Sequence, residues 1–265
     1  MSESLDRNFD DLAERFARRV YGGLKGDIRL AVLWRDLQPV IAELSTARQR
    51  PLRILDVGGG LGQLAIRLAE QGHKVTFNDL SPVMLAAARA RASELSVEQN
   101  MEWISAPYQV LPQQLQNNNQ TVEFDLVLSH ALLEWLEKPE RFIPTIKPML
   151  ASDGYLSLCF YNPAAKIYRN LIRGNFNWLQ QDSYISDQGS LTPNNPSTIE
   201  QVRQWLADAN LSITSESGLR VFHDYVVDKR GGHQSAEQVL AMELAYSEQQ
   251  PFKWLGRYLH VLARK

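Results

Sequence analysis

Residues 54–63 read Ile54-Leu55-Asp56-Val57-Gly58-Gly59-Gly60-Leu61-Gly62-Gln63. A short aliphatic run meets an acid, then a glycine-rich turn, then a helical pattern through Leu64, Ile66, Leu68 and Ala69. Glycines at such a turn let the backbone take positive φ, and a ligand can lie against the main chain with no Cβ between them. The next apolar run ends in Asp79. An acid there accepts hydrogen bonds from both hydroxyls of a ribose. The stretch therefore predicts strand, turn and helix at the switch point of a parallel sheet, with a nucleoside bound over the turn.

The glycine spacing narrows the nucleoside. Gly58-x-Gly60 is followed by Gly62, one residue too early for the dinucleotide fingerprint. Asp56, two residues before the first glycine, would repel a pyrophosphate and suits a cationic head such as the amino group of a methionine tail. The pattern resembles motif I of the class I S-adenosylmethionine-dependent methyltransferases, and Asp79 resembles that family's ribose-binding acid. The competing reading is a glycine-rich strand–helix turn with no ligand.

The chain has 265 residues, 44% hydrophobic and 22% charged, with a net charge of −2. That length fits one large α/β domain, or a domain with an embellishment. A near-neutral balance leaves any polyanion site to a local patch. The single cysteine, Cys159, excludes a disulfide framework and a cysteine-rich metal site. It lies in Leu156-Ser157-Leu158-Cys159-Phe160, which reads as core, and no metal is expected. No leader-like stretch and no membrane-length apolar run is present, so a cytoplasmic protein is expected.

Outward from the turn, βα units repeat. Strands are expected at 52–57, 74–78, 101–105, 124–130, 154–160, 212–221 and 257–263, and helices at 62–71, 82–94, 139–150, 197–209 and 233–247. Ser81-Pro82 is a helix start, with proline at the first helical position. This alternation predicts a doubly wound, mostly parallel sheet. Residues 8–21 and 27–44 carry helical spacing and, with the basic stretch Arg48-Gln49-Arg50-Pro51 as linker, form an N-terminal helical cap over 1–50. The remaining 51–265 form the main domain, with an insertion at about 162–197 after the fifth strand. In that insertion, helical spacing turns Ile167, Leu171 and Ile172 toward the core and Lys166, Arg169 and Arg173 toward solvent.

Open α/β sheets bind ligands at the C-terminal ends of their strands. Those ends carry Asp56, Gly58 and Gly59; Asp79; Tyr108 and Gln109; His130; and Tyr161. The third-strand loop has no acid for an adenine amino group, and the Gln109 carbonyl is the expected acceptor instead. His130 is read as a positioning or methionine-tail residue rather than a base. Arg29, after the basic turn Tyr21–Asp27, offers a bidentate fork for the cofactor carboxylate or is a solvated helix residue.

Whole segments sharpen the resemblance: Arg7-Asn8-Phe9-Asp10-Asp11, Leu33-Trp34-Arg35-Asp36-Leu37, His130-Ala131-Leu132-Leu133-Glu134-Trp135, Phe160-Tyr161-Asn162, Arg220-Val221-Phe222-His223-Asp224-Tyr225 and Gly256-Arg257-Tyr258-Leu259-His260-Val261. Together they closely resemble the bacterial tRNA 5-carboxymethoxyuridine methyltransferases, across nearly the entire chain. The resemblance implies a Rossmann-like fold with a seven-stranded, mostly parallel sheet and an antiparallel last strand. It implies S-adenosylmethionine as cofactor, held by Arg29, Gly58, Gly59, Asp79, Tyr108, Gln109 and His130. It also implies methyl transfer to the carboxylate of a modified wobble uridine in the tRNA anticodon loop, with no membrane and no protein partner.

A carboxylate is already ionised near neutral pH and needs no general base. Tyr161, Arg220, His223 and Tyr225 are the candidates to orient it. If 220–223 is strand, Arg220 and His223 face opposite sides, and Arg220 is favoured. Its competing role is a surface ion pair with Glu216 or Asp224. Lys166, Arg169 and Arg173 are the RNA-binding candidates, with aromatic neighbours for splayed bases. The alternatives are a methyltransferase for a free acid or quinol, an enzyme using carboxy-S-adenosylmethionine, and a non-catalytic scaffold.

Overall fold

A computed structural model describes residues 22–117, 123–180 and 195–265, together with Asp6, Asp10 and Pro193. The helix expected over 8–21, apart from Asp10, and part of the insertion at about 162–197 lie outside the described residues. The strands are β1 (Arg53–Val57), β2 (Lys74–Asp79), β3 (Met101–Ser105), β4 (Phe124–His130), β5 (Leu150–Tyr161), β6 (Ser212–Leu219) and β7 (Tyr258–Arg264). They form one sheet in the order β3-β2-β1-β4-β5-β7-β6. The pairs from β3 through β5 are parallel, and β7 inserts antiparallel to both β5 and β6.

The helices are α1 (Leu24–Arg48), α2 (Gln63–Glu70), α3 (Pro82–Glu94), α4 (Leu111–Asn117), α5 (Phe142–Ile146), α6 (Pro163–Ile172), α7 (Phe176–Leu179), α8 (Ile199–Asp208) and α9 (Ala236–Tyr246). Both faces of the sheet are covered, which is why β1 and β4 are almost wholly buried. Alternation along each strand divides the core. Ile54, Leu126 and Leu128 pack with α1 and α2, while Leu55, Val57 and Val127 pack with α4, α5 and α8. Ile28, Val32, Leu33, Leu37, Val40 and Leu44 of α1 are buried in that first layer, as their helical spacing predicts. The linker enters β1 through Asp125, whose carboxylate accepts from Arg50 Nη1 and Nη2 at 2.8 and 3.0 Å and from the Arg53 N–H at 2.8 Å. Burial alone would raise the Asp125 carboxyl, but Arg50 and its other donors hold it below the usual range.

Four expectations are corrected. The helix expected over 139–150 is a helical turn at Phe142–Ile146 between two 3-10 turns. Pro144 and Pro148 remove amide donors there and clash with the preceding turn. β5 begins at Leu150 rather than at 154, through a bulge with Asp153 at φ 59°. β6 ends at Leu219 rather than 221, because Arg220 sits at φ 60° and turns the chain out of the sheet. On α6 the faces are reversed: Ile167, Leu171 and Ile172 are about half exposed (50%, 48% and 47%), whereas Lys166 and Arg169 are half-buried. The cause is the helix start. Asn162 caps α6 by accepting from the Ala164 N–H at 3.1 Å and ties it down by donating to the Trp254 and Gly256 carbonyls, each at 2.9 Å. That rotation buries Ala165, and one turn later the same face carries Arg169. Arg173, at the end of α6, remains exposed. Among the described residues no helix is long and apolar enough to cross a membrane.

Candidate active site

The glycine turn lies at the C-terminal end of β1. Gly58, Gly60 and Gly62 have φ of 67°, 60° and 73°, a region that L side chains rarely adopt. Gly59 is constrained by space instead, since a Cβ there would fall 2.3 Å from Phe77 Cε2 and 2.9 Å from Asp56 Oδ2. The Gly59 N–H donates to the Asn78 carbonyl at 3.0 Å, stitching the turn to β2. Asp79 continues the stitch: Oδ2 accepts from the Gly60 N–H and Oδ1 from the Ser81 N–H, both at 2.8 Å. Burial raises the Asp79 carboxyl, and those two amides pull it part of the way back. Ser81 in turn caps α3, accepting from the Met84 N–H at 3.1 Å.

A cleft of about 710 Å³, its solvent-open mouth included, lies above this turn, lined among others by Gly58, Gly60, Asp79, Met84, Tyr108 and His130. An adjoining recess of about 310 Å³ shares Gly58 and His130 and reaches Gly59 and Asp56. Asp56 Oδ1 is buried with no hydrogen-bond partner among the described residues. Burial, with the Asp79 charge beside it, pushes the Asp56 carboxyl up to about 7. A cleft with a ribose-height acid, apolar walls from Met84, Leu132 and Trp135, and an unpartnered buried carboxylate in the recess fits a nucleoside with a cationic tail.

Gln109 does not line the cleft. The 3-10 turn Tyr108–Val110 exposes it, and its Nε2 donates to Asp6 Oδ2 at 2.7 Å. Asp6, which also accepts from the Glu137 N–H at 2.9 Å, is itself part of the lining. The acid missing from the third-strand loop is thus present in the cleft, delivered from the N-terminal segment. Nothing in the local sequence of that loop signalled it.

A second cluster lies where β5, β7 and the 220–225 turn meet. The Arg29 guanidinium, 2% exposed, stacks 4.0 Å from the Tyr258 ring centroid, and Arg220 lies 5.4 Å from the same ring. Arg257 lies 4.7 Å from the Tyr161 ring, which meets Tyr258 edge-on at 5.6 Å. Asp224 is set among these cations, with Arg220 Nη2 at 3.5 Å, Lys25 Nζ at 3.6 Å and Arg257 Nε at 3.9 Å. Burial lowers the Arg220, Arg169 and Lys166 values, and neighbouring guanidinium groups, Arg257 in each case, lower them further. The Tyr161 hydroxyl, Arg220 Nε and Arg169 Nε are buried with no hydrogen-bond partner among the described residues. Burial pushes the Tyr161 phenol up to about 12, so it keeps its proton and is a donor.

The 220–225 turn also corrects the strand argument for Arg220 and His223. Residues 223–225 form a 3-10 turn, so alternation does not separate them. Glu243 of α9 accepts from the Val221, Phe222 and His223 amides at 2.7, 3.2 and 2.8 Å, pinning both residues beside Asp224. Arg220 pairs with Asp224 in a buried setting rather than at the surface, and Glu216 instead pairs with Arg203 and Lys253. Tyr225 is engaged elsewhere, donating to the Leu255 carbonyl at 2.5 Å and packing against Tyr168.

Arg29 joins the two regions, since its charge helps depress the His130 imidazole and offsets burial at Glu134, whose carboxyl is raised to about 7. Glu134, Arg257 and Tyr258 were not assigned roles from sequence, and Asp224 was named only as an ion-pair partner of Arg220, although each lies in a segment that carries the family resemblance. Among the described residues no cluster of potential ligands could hold a metal.

Residues 55–158 match the family described as "Methyltransferase domain". The chain is 41% identical to the tRNA 5-carboxymethoxyuridine methyltransferase of Escherichia coli K12, covering 98% of this chain and 97% of that protein. It is 29% identical to the malonyl-[acyl-carrier protein] O-methyltransferase of Geobacter sulfurreducens, over 53% of this chain and 50% of that one. Among solved structures, magnesium protoporphyrin IX methyltransferase from Synechocystis PCC 6803, with bound SAH, has the same fold. Its TM-score is 0.60 at 17% identity, with 97% and 95% of the two chains covered.

Proposed function

The chain belongs to the tRNA 5-carboxymethoxyuridine methyltransferase family of S-adenosylmethionine-dependent enzymes, and we propose that it methylates the carboxylate of 5-carboxymethoxyuridine at the tRNA wobble position. The observation that carries this reading is the set of unpartnered buried donors, Tyr161 Oη, Arg220 Nε and Arg169 Nε, in the basic cluster around Asp224 and Arg257. Buried polar groups are normally satisfied, and three donors left open among guanidinium groups are the complement of an anion.

S-adenosylmethionine, when bound, supplies an electrophilic methyl group on a sulfonium. The chain's own work is positional. Asp79 would accept from the ribose hydroxyls, Asp56 would balance the ammonium, and Met84 and Leu132 would wall the base. Tyr161 and Arg220 orient the acceptor carboxylate, while Asp224 tempers the cationic field so that the anion is held without being blunted as a nucleophile. No residue needs to take a proton, because the acceptor carboxyl is ionised well below neutral pH. The half-buried basic wall also argues against the quinol reading, since a neutral quinol needs an apolar lid; the tRNA methyltransferase relative at 41% identity supports tRNA over a free acid.

Nucleoside mass spectrometry of tRNA from a deletion strain tests the assignment. The free acid should accumulate in place of its methyl ester, and persistence of the ester would overturn it.

The Asp56 carboxyl gives a pH prediction. Its protonated form is neutral and cannot balance an ammonium, so affinity for S-adenosylmethionine should fall as pH drops below about 7, by up to about tenfold per unit. Isothermal calorimetry between pH 5.5 and 8 measures this. Asp56→Asn should flatten the slope, and an unchanged slope in that variant would refute the role.

On the RNA side, Arg173 is the exposed candidate, whereas Lys166 and Arg169 face the carboxylate cluster. Arg173→Glu should weaken binding of an anticodon stem-loop and reduce the salt slope by about 0.7 or more, as loss of a single-strand phosphate contact requires. Filter binding across a salt series would show it, and a salt-independent loss would contradict it.

A further inference from the structure

A groove of about 970 Å³, its solvent-open mouth included, runs between α6, the 220–225 turn, α9 and the 3-10 turn Phe252–Leu255. Five of its nine lining side chains are aromatic: Tyr168, Phe222, Tyr225, Tyr246 and Phe252. The other four are aliphatic or methionine, so the walls carry no charge. Tyr168, Tyr246 and Phe252 are 40%, 38% and 40% exposed, so their rings are open to a ligand. The rings meet edge to face, Tyr168 with Tyr225 at 5.2 Å and 74°, and Tyr246 with Phe252 at 5.1 Å and 86°. An edge covers only one face of one ring, so each pair keeps ring faces that its partner does not cover. Apolar patches of this extent on a protein surface mark binding sites.

Position and charge select the occupant. Val221, Phe222 and Tyr225 share a turn with Arg220 and Asp224, and Tyr168 directly precedes Arg169. The Tyr225 phenol lies close enough to Asp224 and Arg257 to feel both charges. The groove therefore begins at the edge of the basic cluster. From Pro163 to Leu179, α6 and α7 carry Lys166, Arg169 and Arg173 and no acid, in a chain whose net charge is −2. Cations beside uncharged aromatic walls suit single-stranded nucleic acid: phosphates follow the cations, and bases stack on the rings. An apolar protein segment would fill the groove without using that excess of positive charge.

We propose that this groove is a stacking subsite for an unpaired nucleobase adjoining the modified uridine, with Tyr246 and Phe252 as its exposed platform. The anticodon loop is then held at two points, by the acceptor carboxylate in the basic cluster and by a neighbouring base in the groove. Every base has a π face, so the subsite supplies affinity and register rather than a choice of sequence. The inference deepens the tRNA reading and rests on it.

The test uses the full chain and an anticodon stem-loop carrying 5-carboxymethoxyuridine, titrated by fluorescence anisotropy. Tyr246→Ser and Phe252→Ser should each weaken binding of the intact loop by about five- to a hundredfold. Tyr246→Phe and Phe252→Tyr keep a ring and should bind within about twofold of the parent, which separates stacking from a general loss of fold. Loops with one abasic residue beside the modified position supply the other side of the cycle. One of them should bind the parent more weakly than the intact loop does, and should lose little more on Tyr246→Ser. Affinity within about twofold in both serine variants, or serine losses of the same size on every abasic loop, would overturn the proposal. So would dimerisation of the parent that the serine variants abolish while RNA binding stays intact, since the groove would then belong to a second copy of the chain. A parent that binds no loop removes the tRNA reading and this subsite with it, whereas a parent that binds and methylates tRNA with no serine effect removes the subsite alone.

Discussion

Asp79→Ala is expected to weaken S-adenosylmethionine binding by on the order of a hundred- to a thousandfold, about 3–4 kcal/mol, with methyl transfer lost at ordinary cofactor concentrations. The carboxylate is the only acid at the end of β2, and it lines the cleft next to Gly58 and Gly60. Two ribose hydroxyls finding an ionised acceptor make charge-assisted bonds, each worth about twice a neutral one. The substitution also strips acceptors from the Gly60 and Ser81 amides, which Asp79 holds at 2.8 Å. Those amides can turn to water once the cleft is open, so the loss of fold stability should stay near 1–3 kcal/mol. Calorimetry and a thermal melt separate the two effects. Near-normal affinity in a folded Asp79→Ala protein would remove Asp79 from the cofactor site. Asp79→Asn should fall between the parent and the alanine variant, since one amide oxygen can serve only one side of the former carboxylate.

The elements that carried a strong period were legible in the sequence. β1, β2, β4 and α1 declare themselves because a doubly covered sheet demands continuous apolar strands, and a buried helix demands apolar residues at three- and four-residue spacing. The cofactor turn was legible because its chemistry is local: glycines, Asp56 and Asp79 lie within 24 residues of one another. The proposed acceptor site was legible only in part, through Tyr161 and Arg220, because its parts are far apart in sequence. Arg29, Tyr161, Arg220 and Arg257 meet only after β7 has inserted between β5 and β6. Helical spacing failed on α6 for a related reason. It assumes that the apolar face turns inward, whereas here the Asn162 tether sets the rotation and the buried neighbour is a cluster of charge. The strand argument at 220–223 failed because a single residue at positive φ ended the alternation on which it depended.

That cluster supports the second large expectation. Arg220→Ala should lower kcat/KM for the acid-bearing tRNA by about two to three orders of magnitude, roughly 3–4 kcal/mol, while leaving S-adenosylmethionine affinity within about twofold. Arg220 is buried beside Asp224 and the Tyr258 ring, with Nε open. A carboxylate brought into that setting exchanges hydration for guanidinium and phenol donors. With the guanidinium gone it would be desolvated against Asp224 with one main counter-charge fewer, which is why truncation costs more than an exposed pair is worth. Arg220→Lys keeps the charge but not the planar fork and should recover only part of the rate. The fold should tolerate these changes, because Arg257 and Lys25 remain near Asp224 and the turn is held through Glu243 by backbone amides rather than by the Arg220 side chain. The neutral methyl ester is the internal control: tRNA carrying the product should bind parent and Arg220→Ala almost equally. If the acid and the ester respond alike, Arg220 recognises RNA in general rather than the carboxylate.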